Sequence, residues 1–278
     1  MGSRHRALGT LTAAGVGAAA WGLFESQWVE CRTLEVGVAG LPRELDGFTI
    51  LHLSDLHAGT PSLNMRAFRK GVDFGVECGA DLVALTGDIV SHPRASRRVV
   101  EELERLRPPF GIVAVLGNHD VGASNDPFSR GAIIDDWGGA QVTLLNDHTH
   151  MIEAWGARIE VGGLDAAAWL GGRASPPGEL FSEAADLRLL LAHFPEVAEE
   201  LAPGSADLVL CGHLHGGQIC LPTPWGKLRL AHGVHRFREG TYHDGETTIV
   251  VTRGLGTTLV PFRVAARPEV SVLRLVPV

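Results

Sequence analysis

Asp55 and His57 stand two residues apart, directly after the apolar run Phe48 to Leu53. In extended chain, residues at that spacing point the same way, so both side chains can reach one cation. Asp88 follows Gly87 at the end of the run Asp81 to Thr86, and its two carboxylate oxygens can each face a different ion. Asn118, in Gly117-Asn118-His119-Asp120, offers a neutral carbonyl oxygen after the run Gly111 to Leu116. His193 closes the run Arg188 to Ala192, and Gly212-His213-Leu214-His215 follows Asp207 to Cys211. These seven donors, Asp55, His57, Asp88, Asn118, His193, His213 and His215, are oxygen and nitrogen only. Such a set suits manganese, iron or zinc and disfavours an iron–sulfur cluster or a four-cysteine structural zinc. Two divalent ions held about 3.5–4 Å apart would clamp a phosphoryl group and acidify a bridging water, so that hydroxide becomes the nucleophile of phosphoric ester hydrolysis. A lone Gly-Asp is more often a turn, and a lone His beside a strand more often a satisfied side chain. The whole set is harder to explain that way, because burying unpaired charges without a cation is costly.

The elements that must position these donors follow from hydrophobic patterning. Besides the runs above, strands are predicted at Gln141 to Leu145, Arg158 to Val161, Thr248 to Thr252 and Val270 to Val276. Helices are predicted at Asn64 to Cys78, Ser96 to Arg107, Arg130 to Trp137 and Pro195 to Leu201, with Pro-Pro breaks at 108–109 and 176–177. Five strand ends therefore carry metal-binding side chains, and the carboxyl ends of strands are where ligand sites form in open α/β sheets. No repeat or low-complexity stretch interrupts the pattern, so residues 31–278 read as one α/β catalytic domain preceded by an N-terminal segment, residues 1–30.

The ordered blocks Asp55-x-His57, Gly87-Asp88, Gly117-Asn118-His119-Asp120, His193 and Gly212-His213-Leu214-His215 resemble the five signature blocks of the calcineurin-like metallophosphoesterases. The resemblance implies an α/β fold of two packed mixed β-sheets flanked by helices, a four-layer αββα sandwich. It also implies one ion among Asp55, His57, Asp88 and His215, and a second among Asp88, Asn118, His193 and His213. The run His215-Gly216-Gly217-Gln218-Ile219, with Leu221-Pro222, Arg253-Gly254-Leu255-Gly256 and Arg267-Pro268-Glu269-Val270, is similar to a bacterial branch whose members often carry an N-terminal membrane segment.

Arg4 and Arg6 precede an uncharged, Gly- and Ala-rich stretch from Ala7 to Phe24. Three readings fit it: a single membrane anchor, a cleaved signal peptide with Ala18-Ala19-Ala20 as an A-x-A site, or a helix of the domain. The anchor reading, with basic residues before the stretch, expects a cell-membrane protein whose catalytic domain lies outside the cytoplasm. The net charge of −8, from 24 basic and 32 acidic residues, argues against a nucleic-acid partner. The four cysteines show no CxxC spacing and read as reduced.

His119 is expected to be the acid that protonates the leaving oxygen, since an imidazole near its ordinary pKa donates and recovers a proton around neutral pH. Asp120 is the expected partner that orients it, although adjacent residues often point apart. Gly217, Gln218 and Arg253 are the expected substrate contacts, with Arg263 a further anion clamp that a surface ion pair explains equally well. His92, His148 and His150 read as exposed or loop histidines, while His232, His235 and His243 lie in a loop-rich stretch after Pro222 that could hold substrate contacts, His232 being the one singled out. The leading function is a membrane-associated phosphodiesterase or pyrophosphatase acting on a phosphate ester, with a lipid- or envelope-linked phosphate as the class that membrane tethering suggests. A broad phosphomonoesterase is the alternative, and a metal-stabilised scaffold without catalysis the reading from another class. Retention of His119 favours an enzyme, since a scaffold has no use for an acid there.

Overall fold

The computed structural model describes residues 15–174, 176, 179–182, 185–224, 226–231 and 235–278. Alternation of apolar residues along the strands builds two sheets whose inner faces share one core. The first sheet runs in the order β1 (Glu30–Val38), β14 (Glu269–Pro277), β2 (Thr49–Leu53), β3 (Leu82–Thr86), β4 (Ile112–Val115), β5 (Val142–Leu144). The second runs β12 (Gly240–Asp244), β13 (Thr247–Val251), β9 (Leu208–Cys211), β8 (Leu187–Leu191), β7 (Ala157–Gly163), β6 (His148–Ala154). A separate hairpin pairs β10 (Cys220–Thr223) with β11 (Gly226–Arg229).

Side chains two apart on a strand share a face, and each sheet divides accordingly. Ile50, Leu82 and Ala84 meet Leu189, Leu191, Leu208 and Leu210 between the sheets. Leu51, Leu53, Val83 and Leu85 face outward onto the helices α2 (Asn64–Cys78) and α3 (Ser96–Leu103) through Phe68, Val72, Val99 and Leu103. On the other side Leu190, Val209 and Cys211 pack under the short helix α4 (Ala166–Leu170) and the 3-10 turn Pro195–Glu199. The result is the expected helix–sheet–sheet–helix sandwich. Strands β2 to β5 are mutually parallel, as are β7, β8, β9 and β13. The carboxyl ends of both parallel sets converge on one edge of the sandwich.

Helix α2 has the predicted bounds, whereas α3 stops at Leu103, four residues short of Arg107. No helix forms at Arg130 to Trp137. Gly131 there takes a left-handed φ of +63° and packs against Gly122, which breaks the helical run. Pro195–Glu199 is a 3-10 turn rather than a longer helix.

The membrane placement expected from the N-terminus is overturned. Among the described residues, no helix is long and apolar enough to cross a membrane. A helix over residues 15–25, here α1, lies against the catalytic domain instead. A side chain at Gly22 would crowd Phe262 Cβ at 3.0 Å, so glycine permits the close approach. Gly22 O accepts the backbone N–H of Arg263, and the buried Glu25 carboxylate accepts the backbone N–H of Ala266 and the indole N–H of Trp21. The span reading weighed the uncharged run and missed that Glu25, which ends it, is held inside the protein by two donors. The expectation of a catalytic domain outside the cytoplasm rested on that anchor and falls with it.

Candidate metal centre

The loops that leave β2, β3, β4, β8 and β9 bring the seven predicted donors together. Asp55, His57 and His215 form one group of ligand atoms, and Asp88, His193 and His213 another, the atoms of each lying within 4.8 Å of one another. Asp88 stands between them, with Oδ2 3.5 Å from His57 Nε2 and 3.2 Å from His193 Nε2. His215 Nε2 is 3.5 Å from Asp55 Oδ1 and 3.0 Å from His57 Nε2. His193 Nε2 is 3.2 Å from Asn118 Oδ1 and 3.1 Å from His213 Nδ1. Asn118 and His213 are half-buried and open the group to solvent, while the other five are buried. His119 joins His57 and Asp88 in a third, overlapping group.

Backbone strain accompanies this convergence. Asp55, His57, Asp88, His213 and His215 all adopt left-handed φ values between 45° and 73°. Each such residue costs on the order of 1–2 kcal/mol, and strain of this kind gathers where geometry is tied to function. Hydrogen bonds hold it in place: Asp55 N–H donates to Gly87 O, His57 N–H to Asp88 O, His119 N–H to Asp88 Oδ1, and His213 N–H to the Asp55 carboxylate. Gly87, with φ +86°, is a position where a Cβ would sit 2.6 Å from His193 Nδ1 and 2.8 Å from Gly117 N. Only glycine lets the β3 and β8 loops meet there.

Neighbouring groups aim the rings. His193 Nδ1 lies 2.9 Å from Thr86 O; donating to that carbonyl fixes the tautomer and leaves Nε2 free to ligate. His57 Nδ1 lies 3.1 Å from Ser91 Oγ. Burial pushes the His57 pKa down to about 3, which keeps the ring neutral, and pushes Asp55 up to about 6. Burial also works to raise Asp88, but the His193 and His57 rings beside it hold its carboxyl well below the usual carboxylate range. His193 shows the reverse balance: burial disfavours its charged form, yet Asp88 raises it to about 9. Two buried carboxylates among inward-facing ring nitrogens fit divalent cations, whose charge would offset the cost of burial.

The remaining predicted residues are placed differently. His119 is buried, with Nε2 3.0 Å from Ser124 Oγ and 3.5 Å from Thr258 Oγ1 and Nδ1 3.5 Å from Ser91 Oγ. Asp120 turns away from it. Its carboxylate accepts the backbone N–H groups of Ile89, Val90 and Gly117 at 3.2, 2.7 and 2.8 Å, tying the β3 loop to the β4 loop. The carboxylate that reaches toward His119 is Asp126, whose Oδ2 accepts from Thr258 Oγ1 at 3.0 Å and from Leu259 N at 2.9 Å. Gln218 spends its side-chain amide on the backbone of Thr258 and Val260. Gly217 N–H donates to Leu214 O. Arg253 pairs with Glu30 at 2.8 Å and Glu269 at 2.6 Å. Each expected phosphate contact is thus satisfied within the fold. His232 lies outside the described residues.

Sequence reasoning missed Asn64 and misread Arg263. Asn64 donates to His57 O and Thr257 O and accepts from Thr257, joining the first ligand loop to the loop after β13. Its partners lie up to 193 residues away, and no local signal marks it. Arg263 is fully buried rather than at the surface.

The sandwich, the strand-end donors and the inward-facing histidines define a metal-dependent phosphoesterase, and the chain belongs to the calcineurin-like phosphoesterase family, which it matches over residues 48–217. Among similar proteins, the uncharacterized metallophosphoesterase YkuE of Bacillus subtilis is 31% identical over 282 residues, covering 97% of this chain and 93% of that one. The phosphodiesterase YaeI of Escherichia coli is 33% identical over 242 residues, covering 82% of each chain. The uncharacterized metallophosphoesterase YkoQ of Bacillus subtilis is 30% identical over 236 residues, covering 84% of each.

Proposed function

We propose that this hydrolase is a phosphodiesterase whose centre holds two divalent ions, manganese, iron or zinc, sharing Asp88. The observation that carries the reading is the position of Asp88 Oδ2 between His57 Nε2 and His193 Nε2, at 3.5 and 3.2 Å. Asp55, His57, Asp88 and His215 would hold one ion, and Asp88, Asn118, His193 and His213 the other. Ions bound there supply the nucleophilic water and draw charge from the phosphoryl oxygens. The remaining work falls to the chain's own side chains. His119 delivers a proton to the leaving oxygen, and the hydroxyls of Ser124 and Thr258, beside its Nε2, hold the ring. Asp126 fixes Thr258 through its hydroxyl.

The substrate class follows from charge. A diester phosphoryl group carries one negative charge and a free monoester close to two, so the latter gains more from a bidentate arginine clamp. Arg253 is consumed by Glu30 and Glu269, and Arg263 by backbone carbonyls. The similarity to a protein named a phosphodiesterase supports the same choice. The test is a matched series of an aryl phosphodiester, the corresponding monoester and pyrophosphate, with Mn²⁺, Zn²⁺ or Fe²⁺ supplied in turn. The diester should lead the monoester in kcat/KM by about tenfold or more, roughly 1.4 kcal/mol of transition-state preference. A monoester preference under every metal overturns the assignment.

A further inference from the structure

Arg263 is among the largest fully buried side chains of the protein. A buried guanidinium needs partners for its donors, and here those partners are backbone carbonyls. Its Nε donates to Gly256 O at 3.0 Å, its Nη1 to His215 O at 3.2 Å and Ala266 O at 3.0 Å. Its Nη2 donates to Arg253 O at 2.8 Å, Gly254 O at 3.1 Å and Gly256 O at 2.5 Å. The same Nη2 stands 3.3 Å from Nδ1 of the His215 ring.

These carbonyls belong to the walls around one of the two ligand groups. Gly254 and Gly256 lie on the loop that closes over Asp55: Gly256 N–H donates to Asp55 O, and Leu255 N–H to Ser54 O. His215 is itself in that group, with Asp55 and His57. One planar side chain therefore ties the loop behind Asp55 to both the backbone and the ring of His215. The segment bearing Arg263 is pinned in turn by α1, since Gly22 O accepts the Arg263 N–H and Glu25 accepts the Ala266 N–H. The loops of the other group are joined by a different device, the Asp120 carboxylate on the amides of Ile89, Val90 and Gly117, with Thr86 O against His193 Nδ1.

We infer that Arg263 is the positioning residue of the Asp55–His57–His215 ion site, holding Asp55 and His215 at ligating separation without touching the ion or the substrate. The inference rests on the reading of this centre as a two-ion site. Lysine retains the charge, but its single ammonium cannot span carbonyls that fan out from Gly256 to Ala266. The distinction is between geometry and charge.

The test is a titration of the metal-free full chain with Mn²⁺, following bound ions per chain by calorimetry, for the unaltered protein and for R263K and R263Q. The unaltered chain should bind two ions. Both variants should keep one ion at unchanged affinity and bind the second about tenfold to a hundredfold more weakly, the usual effect of removing a group that orients a ligand. The Mn²⁺ concentration for half-maximal diesterase activity should rise by a similar factor, while KM for the diester at saturating Mn²⁺ stays within about twofold, because the substrate-facing groups are untouched. If the unaltered chain binds no Mn²⁺, the two-ion reading fails first. If it binds two ions and both variants titrate identically to it, or if R263K alone restores full affinity, the positioning role is overturned. Loss of a cooperative melting transition in both variants would make Arg263 a determinant of the fold, which also overturns the inference.

Discussion

His57 Nε2 and His215 Nε2 face each other at 3.0 Å, from loops 158 residues apart in sequence. One ring can donate its Nε2–H to the other, but the buried carboxylates of Asp55 and Asp88 beside them form no ion pair with a lysine or arginine among the described residues, and offset their burial by protonating these rings. A cation among them would supply that charge. Chelation should therefore destabilise the protein rather than leave a preformed empty cage. At an ion concentration about a thousandfold above Kd, binding adds about 4 kcal/mol of stability. A melting curve with and without chelator measures it, and an unchanged Tm would show that the centre does not depend on metal.

Asp88→Asn removes the shared charge while keeping the shape. The neutral amide oxygen that would remain between His57 and His193 binds cations far more weakly than a carboxylate oxygen, so metal content and activity should fall together, the rate by roughly a hundredfold or more, as for loss of a transition-state electrostatic contact. Metal analysis and diester turnover on the same preparation check this. Retained activity in this variant would remove Asp88 from the bridging role.

Strand-end placement explains why the donors were legible: in a parallel sheet the residues after β2, β3, β4, β8 and β9 emerge on one edge whatever their distance in sequence. Partnership was not legible. Arg253 reads as an anion clamp until Glu30, 223 residues away, is seen against it. Asp120 reads as a companion of His119 because they are adjacent, yet its acceptors are filled by amides about thirty residues upstream. Local pattern specifies which face a residue occupies, and only tertiary packing specifies what it meets. The N-terminal run misled for the same reason, since hydropathy alone does not reveal the docking of Glu25 on Ala266.

The three amides on Asp120 make it a clasp between ligand loops. Asp120→Asn places an NH2 group against N–H donors and leaves at least one of them unpaired, at a cost of about 1–3 kcal/mol. The midpoint of chemical unfolding should fall accordingly, and metal affinity should weaken because Asp88 and Asn118 flank the clasp. The dependence of rate on leaving-group pKa should not change. A steeper dependence would instead make Asp120 a partner of His119.

His119→Ala should retain metal and lose rate most on diesters with poor leaving groups, by about 10²–10⁴-fold, with little loss on an activated aryl leaving group. Thr258→Val removes the hydroxyl that stands between Asp126 and His119 and should reproduce a weaker form of the same selectivity. Plotting log kcat against leaving-group pKa for the three proteins tests both. Equal losses across the series would mean that His119 supports the centre rather than protonating the leaving oxygen.

His52, on β2, sets a further dependence on acid. It is fully buried, with Nε2 2.9 Å from Thr86 Oγ1, and burial pushes its pKa down to about 3 from 6.5. The folded chain therefore refuses a proton that the unfolded chain accepts between those values. The unfolded state binds more protons in that window, so the stability due to His52 is complete above pH 6.5 and is lost as the pH falls toward 3, at up to about 1.4 kcal/mol per pH unit. His52→Gln can keep a hydrogen bond to Thr86 but cannot titrate. Its unfolding free energy, measured by denaturant from pH 7 to pH 4.5, should decline less steeply than that of the unaltered chain by about one proton. Parallel curves would mean that the ring is protonated in the folded state and that its burial is relieved by acid.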